Sequence, residues 1–145
     1  MFDSKIFAER LRTLMLARMM SAAQLVRELD TTKATVSRYL SAARVPTLSM
    51  LVRTADLFGV TTDYLLGLEK ESSRNAFVKC PPFSERFARL MRMYGITVYR
   101  LEKDTHINED TVYGWQKGKY EPRTETVVKL AGYFRCPVDF VLGRA

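Results

Sequence analysis

Apolar residues recur along the chain at the spacing of α-helices, and no stretch alternates as a half-buried strand would. In the first sixty-seven residues the pattern predicts five helices. The first is preceded by Asp3 or Ser4, and four of its apolar residues share one face: Phe7, Leu11, Leu14 and Met15. A Ser-x-x-Gln capping box at Ser21 predicts the start of the second. The remaining three are predicted over 33–41, 47–58 and 63–66.

The same pattern occurs twice. A shift of 76 positions places residues 7–67 on residues 83–143 without a gap, and fifteen of the sixty-one aligned pairs are identical. Apolar positions are kept even where the residue changes, as in Tyr39 and Trp115. A gap-free repeat that keeps its apolar positions predicts one fold built twice. We therefore expect a domain over 1–67, a polar linker over 68–82 and a second domain over 83–145.

Charge points to a polyanionic partner. The chain carries 23 Lys and Arg against 16 Asp and Glu, a formal net charge of +7. Such a balance is typical of proteins that bind nucleic acid or an anionic membrane surface, although it also serves solubility. No apolar run approaches the length of a membrane span, so no membrane partner is expected.

The inventory of reactive residues argues against an enzyme. The chain has one histidine and two cysteines, Cys80 and Cys136, which do not occupy matching repeat positions. We interpret them as reduced thiols of a cytoplasmic protein. No cluster with metal-ligand spacing, phosphate-binding glycine loop or nucleophile with a matching base is present. We expect no cofactor, no metal and no catalytic residues.

Two predicted helices joined by a three-residue turn, within a five-helix module of about sixty residues, form a helix-turn-helix. The matching stretches are SAAQLVRELDTTKATVSRYL in the first module and TVYRLEKDTHINEDTVYGWQKGKYEP in the second. Both resemble the Cro-type, phage-repressor-like helix-turn-helix family. The resemblance implies an all-α chain with two tandem five-helix lambda-repressor-like DNA-binding domains, and double-stranded DNA as the partner.

The resemblance also implies which residues contact DNA in the first domain. Its exposed base-reading positions are Thr32, Lys33, Ala34, Ser37 and Arg38. Lys33 or Arg38 can donate to guanine O6 and N7, and Ala34 can meet a thymine methyl. Phosphate contacts are implied on both domains, at Ser21, Ser41, Arg44, Lys117, Lys119 and Arg123.

The second domain departs further from the family pattern. Its implied base contacts are Asn108, Glu109, Asp110 and Tyr113, and Gly114 stands where the first domain has Arg38. Carboxylates can accept from cytosine N4, which is a less common readout, and they repel phosphate. In addition, the Gln usual at the start of the second helix is Ala22 in one domain and Val98 in the other.

Two functions follow from these observations. One is a transcriptional regulator, most simply a repressor, whose two domains act as a pseudo-dimer on a two-part asymmetric site. The other is an interaction protein, an adaptor or antirepressor, in which one or both domains no longer read DNA. Pairing of two chains into a homodimer and binding of another regulator protein both remain open at this stage.

Overall fold

The computed structural model describes residues 3–145, and all the regular elements it describes are α-helices. The chain divides into two compact units, one ending at Phe77 and one running from Val78 to Ala145. The first unit contains five helices: α1 (Ser4–Ala17), α2 (Ala22–Leu29), α3 (Lys33–Leu40), α4 (Leu48–Phe58) and α5 (Thr62–Leu65). The predicted all-α class, with five helices in each module, is confirmed.

The second unit repeats this order. Its helices are α6 (Phe83–Tyr94), α7 (Val98–Thr105), α8 (Glu109–Gln116), α9 (Thr124–Phe134) and α10 (Val138–Leu142). Pro137 is the N-cap of α10, and its backbone is extended at φ −62° and ψ 153°.

Side-chain caps explain where most of the helices begin. Asp3 accepts a hydrogen bond from the backbone N–H of Lys5, and Thr47 accepts one from that of Met50. At α2 the predicted capping box is present, because Ser21 and Gln24 each accept from the other's backbone N–H. Such caps satisfy backbone donors that have no partner inside the helix.

The repeat is visible in the backbone itself. Ten described residues have a positive φ, and they form five pairs, each separated by 76 positions: 19 with 95, 30 with 106, 42 with 118, 59 with 135 and 67 with 143. Only 67 and 143 are glycine in both members. The turns between helices therefore keep the same left-handed residue in each unit, although the residue type often changes.

Aromatic packing fixes α3 and α8 to their units. The ring of Tyr39 meets that of Phe7 edge-on, with centroids 5.7 Å apart. In the second unit Trp115 packs edge-on against Phe87 at 5.4 Å. Tyr39 and Trp115, which occupy the same apolar position of the repeat, are each 2% exposed and lie on the buried faces of these helices. The opposite faces are thereby turned to solvent.

An arginine ties the first helix of each unit to its last. Arg10 donates from Nη1 to the carbonyl of Tyr64 at 2.9 Å, and its guanidinium lies 4.2 Å from the centre of that ring. Arg86 does the same in the second unit, donating from Nη2 to the carbonyl of Phe140 at 2.6 Å. These contacts combine a charge-assisted hydrogen bond with a cation–π interaction.

The predicted linker makes contacts along its length. The Glu69 carbonyl accepts from Arg10 at 2.9 Å, and the Ser72 hydroxyl accepts from the backbone N–H of Thr61 at 3.0 Å. Further along, the N–H of Val78 donates to the carbonyl of Arg144 at 3.1 Å. The division into 1–67, 68–82 and 83–145 stays a prediction.

Candidate nucleic-acid interface

A tight turn joins α2 to α3 in the first unit. Asp30 ends α2 in the left-handed conformation, at φ 51°, and the N–H of Thr31 reaches back to the carbonyl of Val26 at 3.1 Å. Thr32 then caps α3. The second unit makes the same turn with His106 at φ 63° and Asn108 as the cap of α8. Both units therefore place a second short helix directly after a three-residue turn.

The outer face of α3 carries the residues expected to read bases. Thr32, Lys33, Ala34, Ser37 and Arg38 are all exposed, whereas Val36 is 1% exposed. Within residues 3–145 no hydrogen bond or ion pair occupies the Lys33 ammonium or the Arg38 guanidinium. Two cations thus stand on one exposed face with their donors available for a polyanion.

Two of the implied contact residues also cap helices by accepting hydrogen bonds from backbone N–H groups. The Thr32 hydroxyl accepts from the N–H of Thr35 at 3.2 Å and lies 2.9 Å from the Thr35 hydroxyl. The Ser21 hydroxyl accepts from the N–H of Gln24 at 3.2 Å. Ser21 keeps its own O–H donor for an outside acceptor such as a phosphate oxygen, since capping uses only a lone pair of the oxygen.

Two of the implied phosphate contacts of the first unit, Ser41 and Arg44, follow the C-terminal end of α3. Ser41 is exposed, and its hydroxyl donates to the carbonyl of Arg38 at 3.2 Å. Arg44 is exposed in the loop that follows. Burial raises the pKa of Tyr39 in α3, and the positive charge of Arg44 opposes that rise.

One cation beside α3 was not predicted as a site residue. Arg12, on the exposed side of α1, donates from Nη2 to the carbonyl of Leu40, the last residue of α3. This bond holds a second guanidinium at the same end of the helix as Ser41 and Arg44. The signal in the sequence is weak, because Arg12 is one of several basic residues on α1 and the aligned residue of the second unit is Ala88.

The tip of α8 is acidic where that of α3 is basic. Asn108 accepts from the N–H of Asp110 at 2.7 Å, and Glu109 and Asp110 occupy the first turn, where carboxylates favour the positive end of the helix. Tyr113 is 45% exposed on the same helix. Asn108 and Asp110 are exposed as well, whereas Glu109 is half-buried. The two carboxylates carry a charge opposite to that of Lys33.

Gly114 is covered by a residue from the following loop. A Cβ built on Gly114 would lie 2.2 Å from the ring of Tyr120, and the Tyr120 hydroxyl donates to the carbonyl of Asp110 at 3.3 Å. Glycine inside a helix costs about 0.5–1 kcal/mol relative to alanine, so its place in α8 needs a reason. The reason is space for the ring. The sequence suggested only that a side chain is missing at this position.

Three cations follow α8. Lys117 ends the helix, Lys119 lies in the loop and Arg123 caps α9, and all three are exposed. The N–H of Lys119 donates to the carbonyl of Gly114 at 2.9 Å, as that of Ala43 does to Arg38 in the first unit. The chain therefore leaves both helices in the same way, although of these three cations only Lys117 aligns with an implied phosphate contact of the first unit, Ser41.

Each unit has a surface groove beside its turn, and the two differ in chemistry. The groove of the first unit has a volume of about 640 Å³ and has an apolar floor that includes Ala22, Ala23 and Val26. Its lining also includes three cations, Arg12, Arg27 and Lys33. Ala22 stands where the family usually has Gln. The equivalent groove of the second unit, of about 530 Å³, is lined by Tyr99, Glu102 and Glu109 among others.

Comparison with protein families agrees with this geometry. Residues 6–65 match a family model described as a helix-turn-helix domain, and residues 86–139 match one described as a Cro/C1-type HTH DNA-binding domain. The chain belongs to the Cro-type helix-turn-helix family. A search of curated proteins and a search of solved structures found no match.

As a tandem helix-turn-helix protein, the chain presents α3 and α8 in the place where the second helix of the motif enters the major groove. DNA binding and the helix-turn-helix class, both expected from the sequence, are supported by the family matches. Over residues 3–145 no helix is long and apolar enough to cross a bilayer. Those same residues contain no group of three or more His, Cys, Asp or Glu that could hold a metal ion.

Proposed function

We propose that this protein represses transcription by binding a specific double-stranded DNA sequence with α3 in the major groove. The observation that carries the proposal is the exposed face of α3, where no residue in 3–145 bonds to the Lys33 ammonium or the Arg38 guanidinium. A helix fits the major groove, and Arg or Lys bound to guanine O6 and N7 is the commonest specific contact there. A protein bound across a promoter would occlude it.

The backbone of the DNA would be held around this helix. Ser21, Ser41 and Arg44 surround the reading face, and Arg12 adds a guanidinium fixed to the end of α3. Phosphate contacts of this kind set the position of a protein on the duplex, while base contacts select the sequence. In the second unit Lys117, Lys119 and Arg123 would take the phosphate role.

The two domains would act as a covalent pseudo-dimer. Members of this family bind palindromic sites as symmetric dimers, with half-sites about 34 Å apart. Here both domains are on one chain, so binding of the first raises the effective concentration of the second. Because α3 and α8 carry different residues, including Lys33 against Glu109, the two half-sites would differ in sequence.

In vitro selection from a random duplex library tests this proposal directly. We expect one asymmetric two-part motif from the full chain. Lys33→Ala and Arg38→Ala should relax the base preference in one half only, and each lost guanine contact should cost about 1–3 kcal/mol of discrimination. Lys70→Ala, an equal charge loss at an exposed position outside the helices, serves as the control. An unchanged motif in both α3 variants would exclude α3 as the reader.

A second candidate function is favoured by the acidic tip of α8. Glu109 and Asp110 would repel phosphate, so the second domain could bind another regulator protein instead, as an adaptor or antirepressor. Salt dependence separates the two functions, because every neutralised phosphate steepens the fall of affinity with salt. A protein that selects no motif and retains little DNA at low salt would support the adaptor.

A further inference from the structure

We infer that Tyr120 is a specificity-determining residue of the second domain. Its ring contacts a thymine methyl group at the place where, in the first domain, Arg38 contacts guanine. The inference rests on the proposed DNA binding. It starts from the contact between the Tyr120 ring and Gly114, and from the hydrogen bond of its hydroxyl to the Asp110 carbonyl at 3.3 Å.

The contact places the ring on the reading face of α8. Asp110 and Gly114 are four residues apart and therefore lie one above the other on the same side of the helix. Their equivalents in the first domain are Ala34 and Arg38, both implied base contacts. A ring that covers Gly114 while its hydroxyl reaches Asp110 thus lies along the strip that would face the DNA.

The ring is held and also accessible. Tyr120 is 49% exposed, so about half of its surface is free for a partner. The loop that carries it is fixed by the bond from the N–H of Lys119 to the Gly114 carbonyl and by the left-handed Gly118, at φ 71°. A ring that is fixed by its hydroxyl and by its loop presents a defined surface, which sequence discrimination requires.

The chemistry of the exposed surface favours thymine. A phenol ring offers no bidentate donor pair for guanine, whereas apolar contact with the C5 methyl group is the established way to recognise thymine in the major groove. The repeat makes the exchange a matched one: Arg38 and Arg44 in the first domain correspond to Gly114 and Tyr120 in the second. The second domain thus has no side chain at the helix position, and an aromatic ring from the loop takes that place.

Converting the second pair into the first gives the main experiment. The double variant Gly114→Arg/Tyr120→Arg recreates Arg38 and Arg44 in the second domain, and removing the ring clears the space that the new side chain needs. In vitro selection with the full chain should then replace thymine by guanine at one position of one half-site and leave the other half-site unchanged. A motif identical to that of the wild type would overturn the inference.

Single substitutions at Tyr120 provide a test that does not depend on the folding of the double variant. Replacing the selected thymine by uracil removes only the methyl group and should weaken wild-type binding by about fourfold. For Tyr120→Phe, which keeps the ring, the same replacement should weaken binding by the same factor. For Tyr120→Ala it should not change the affinity. Equal losses in all three proteins, or a selected half-site without thymine, would contradict the assignment.

Failure of the inference and failure of the proposed function give different results. If the chain selects no motif at all, the proposed function fails and the inference falls with it. If selection yields a site that depends on Lys33 and Arg38 but Tyr120→Ala binds it as tightly as the wild type, DNA binding by the first domain stands. The role of Tyr120 is then refuted.

Discussion

Asp139 and Arg144 form an ion pair in the interior of the second unit. The Asp139 Oδ1 accepts a hydrogen bond at 3.1 Å from Nη1 of Arg144, and the two side chains are 3% and 0% exposed. The Arg144 carbonyl also accepts from the N–H of Val78. The residues after α10 therefore connect the last helix to the segment that precedes α6.

Removing the cation of this pair should destabilise the second unit strongly. Arg144→Met leaves the Asp139 carboxylate buried without its cation, and breaking a buried pair in this way typically costs about 3–5 kcal/mol. Denaturant unfolding followed by fluorescence measures this, because the one tryptophan, Trp115, lies in the second unit. The double variant Asp139→Asn/Arg144→Met should recover part of the loss. A loss below about 1 kcal/mol in the single variant would contradict the prediction.

Glycine at two left-handed positions of the first unit should stabilise it. Met19 at φ 52° and Ala42 at φ 63° are strained, and their equivalents in the second unit are Gly95 and Gly118. Met19 is 90% exposed, so its side chain contributes little burial. Relief of the left-handed strain, less the entropic cost of glycine, gives an expected gain of about 0.5–1 kcal/mol for each of Met19→Gly and Ala42→Gly. Thermal unfolding monitored by circular dichroism would detect it.

The matched reverse change tests the same reasoning. Gly67 has φ 77°, and a Cβ there would lie 2.5 Å from Cγ2 of Ile6. Gly67→Ala should therefore lower the midpoint of unfolding, since it adds left-handed strain and a contact that the neighbour must relieve by moving. If Met19→Gly and Gly67→Ala shifted the midpoint in the same direction, backbone strain would not be the cause.

Local signals explain why the helices were predictable. The hydrogen bonds between Ser21 and Gln24 span three residues, and Tyr39 and Trp115 are large apolar residues at the same place in both repeats. Cap and periodicity can be recognised without knowledge of the rest of the fold. The solvent-facing side of α3 was therefore predictable, and Thr32, Lys33, Ser37 and Arg38 are exposed as expected. Their contact with DNA stays a prediction.

Contacts between separate elements were not predictable in the same way. The pairing of Asp139 with Arg144 has no such local signal, because Arg144 lies one residue beyond the repeat and has no counterpart in it. Gly114 was interpreted as a missing side chain, because nothing local indicates that Tyr120 folds over it. A glycine inside a helix, followed by an aromatic residue in the next loop, is the signal that could have been used.

The Tyr133 phenol should titrate above its ordinary range. Its hydroxyl donates to Oδ2 of Asp104 at 2.6 Å, and this bond to the carboxylate raises the pKa of Tyr133. Deprotonation would place two negative charges together, and the Arg100 guanidinium beside Asp104 only partly offsets them. Asp104→Asn removes the carboxylate charge, so the pKa of Tyr133 should fall toward its usual value. Carbon NMR of labelled tyrosine measures it, with Tyr133→Phe to assign the signal.

The carboxylate of the same pair should titrate in the opposite direction. The hydrogen bond from Tyr133 holds the pKa of Asp104 below its usual value, with smaller help from Arg100. Tyr133→Phe removes that donor, so the pKa of Asp104 should rise. If it did not change, the Arg100 charge would be the main cause of the shift, and Arg100→Gln would then raise it instead.

Arg44 should contribute to DNA affinity without contributing to sequence choice. It is exposed in the loop after α3, and the described residues offer its guanidinium no hydrogen bond or ion pair. A side chain that neutralises one phosphate releases condensed counterions, so Arg44→Ala should reduce the slope of log affinity against log salt by about one. It should also weaken binding to all sequences alike. Titrations at several salt concentrations, with selected and random duplexes, measure both effects.

The second domain supplies an internal contrast for Arg44. The aligned residue is Tyr120, which is uncharged, so Tyr120→Ala should leave the salt slope unchanged while Arg44→Ala lowers it. Lys70→Ala controls for the loss of one positive charge from the chain. If Arg44→Ala altered the selected bases instead of the slope, the guanidinium would lie in the groove and not on the backbone. That result would place the loop after α3 among the base-reading elements, in the role inferred above for the loop after α8.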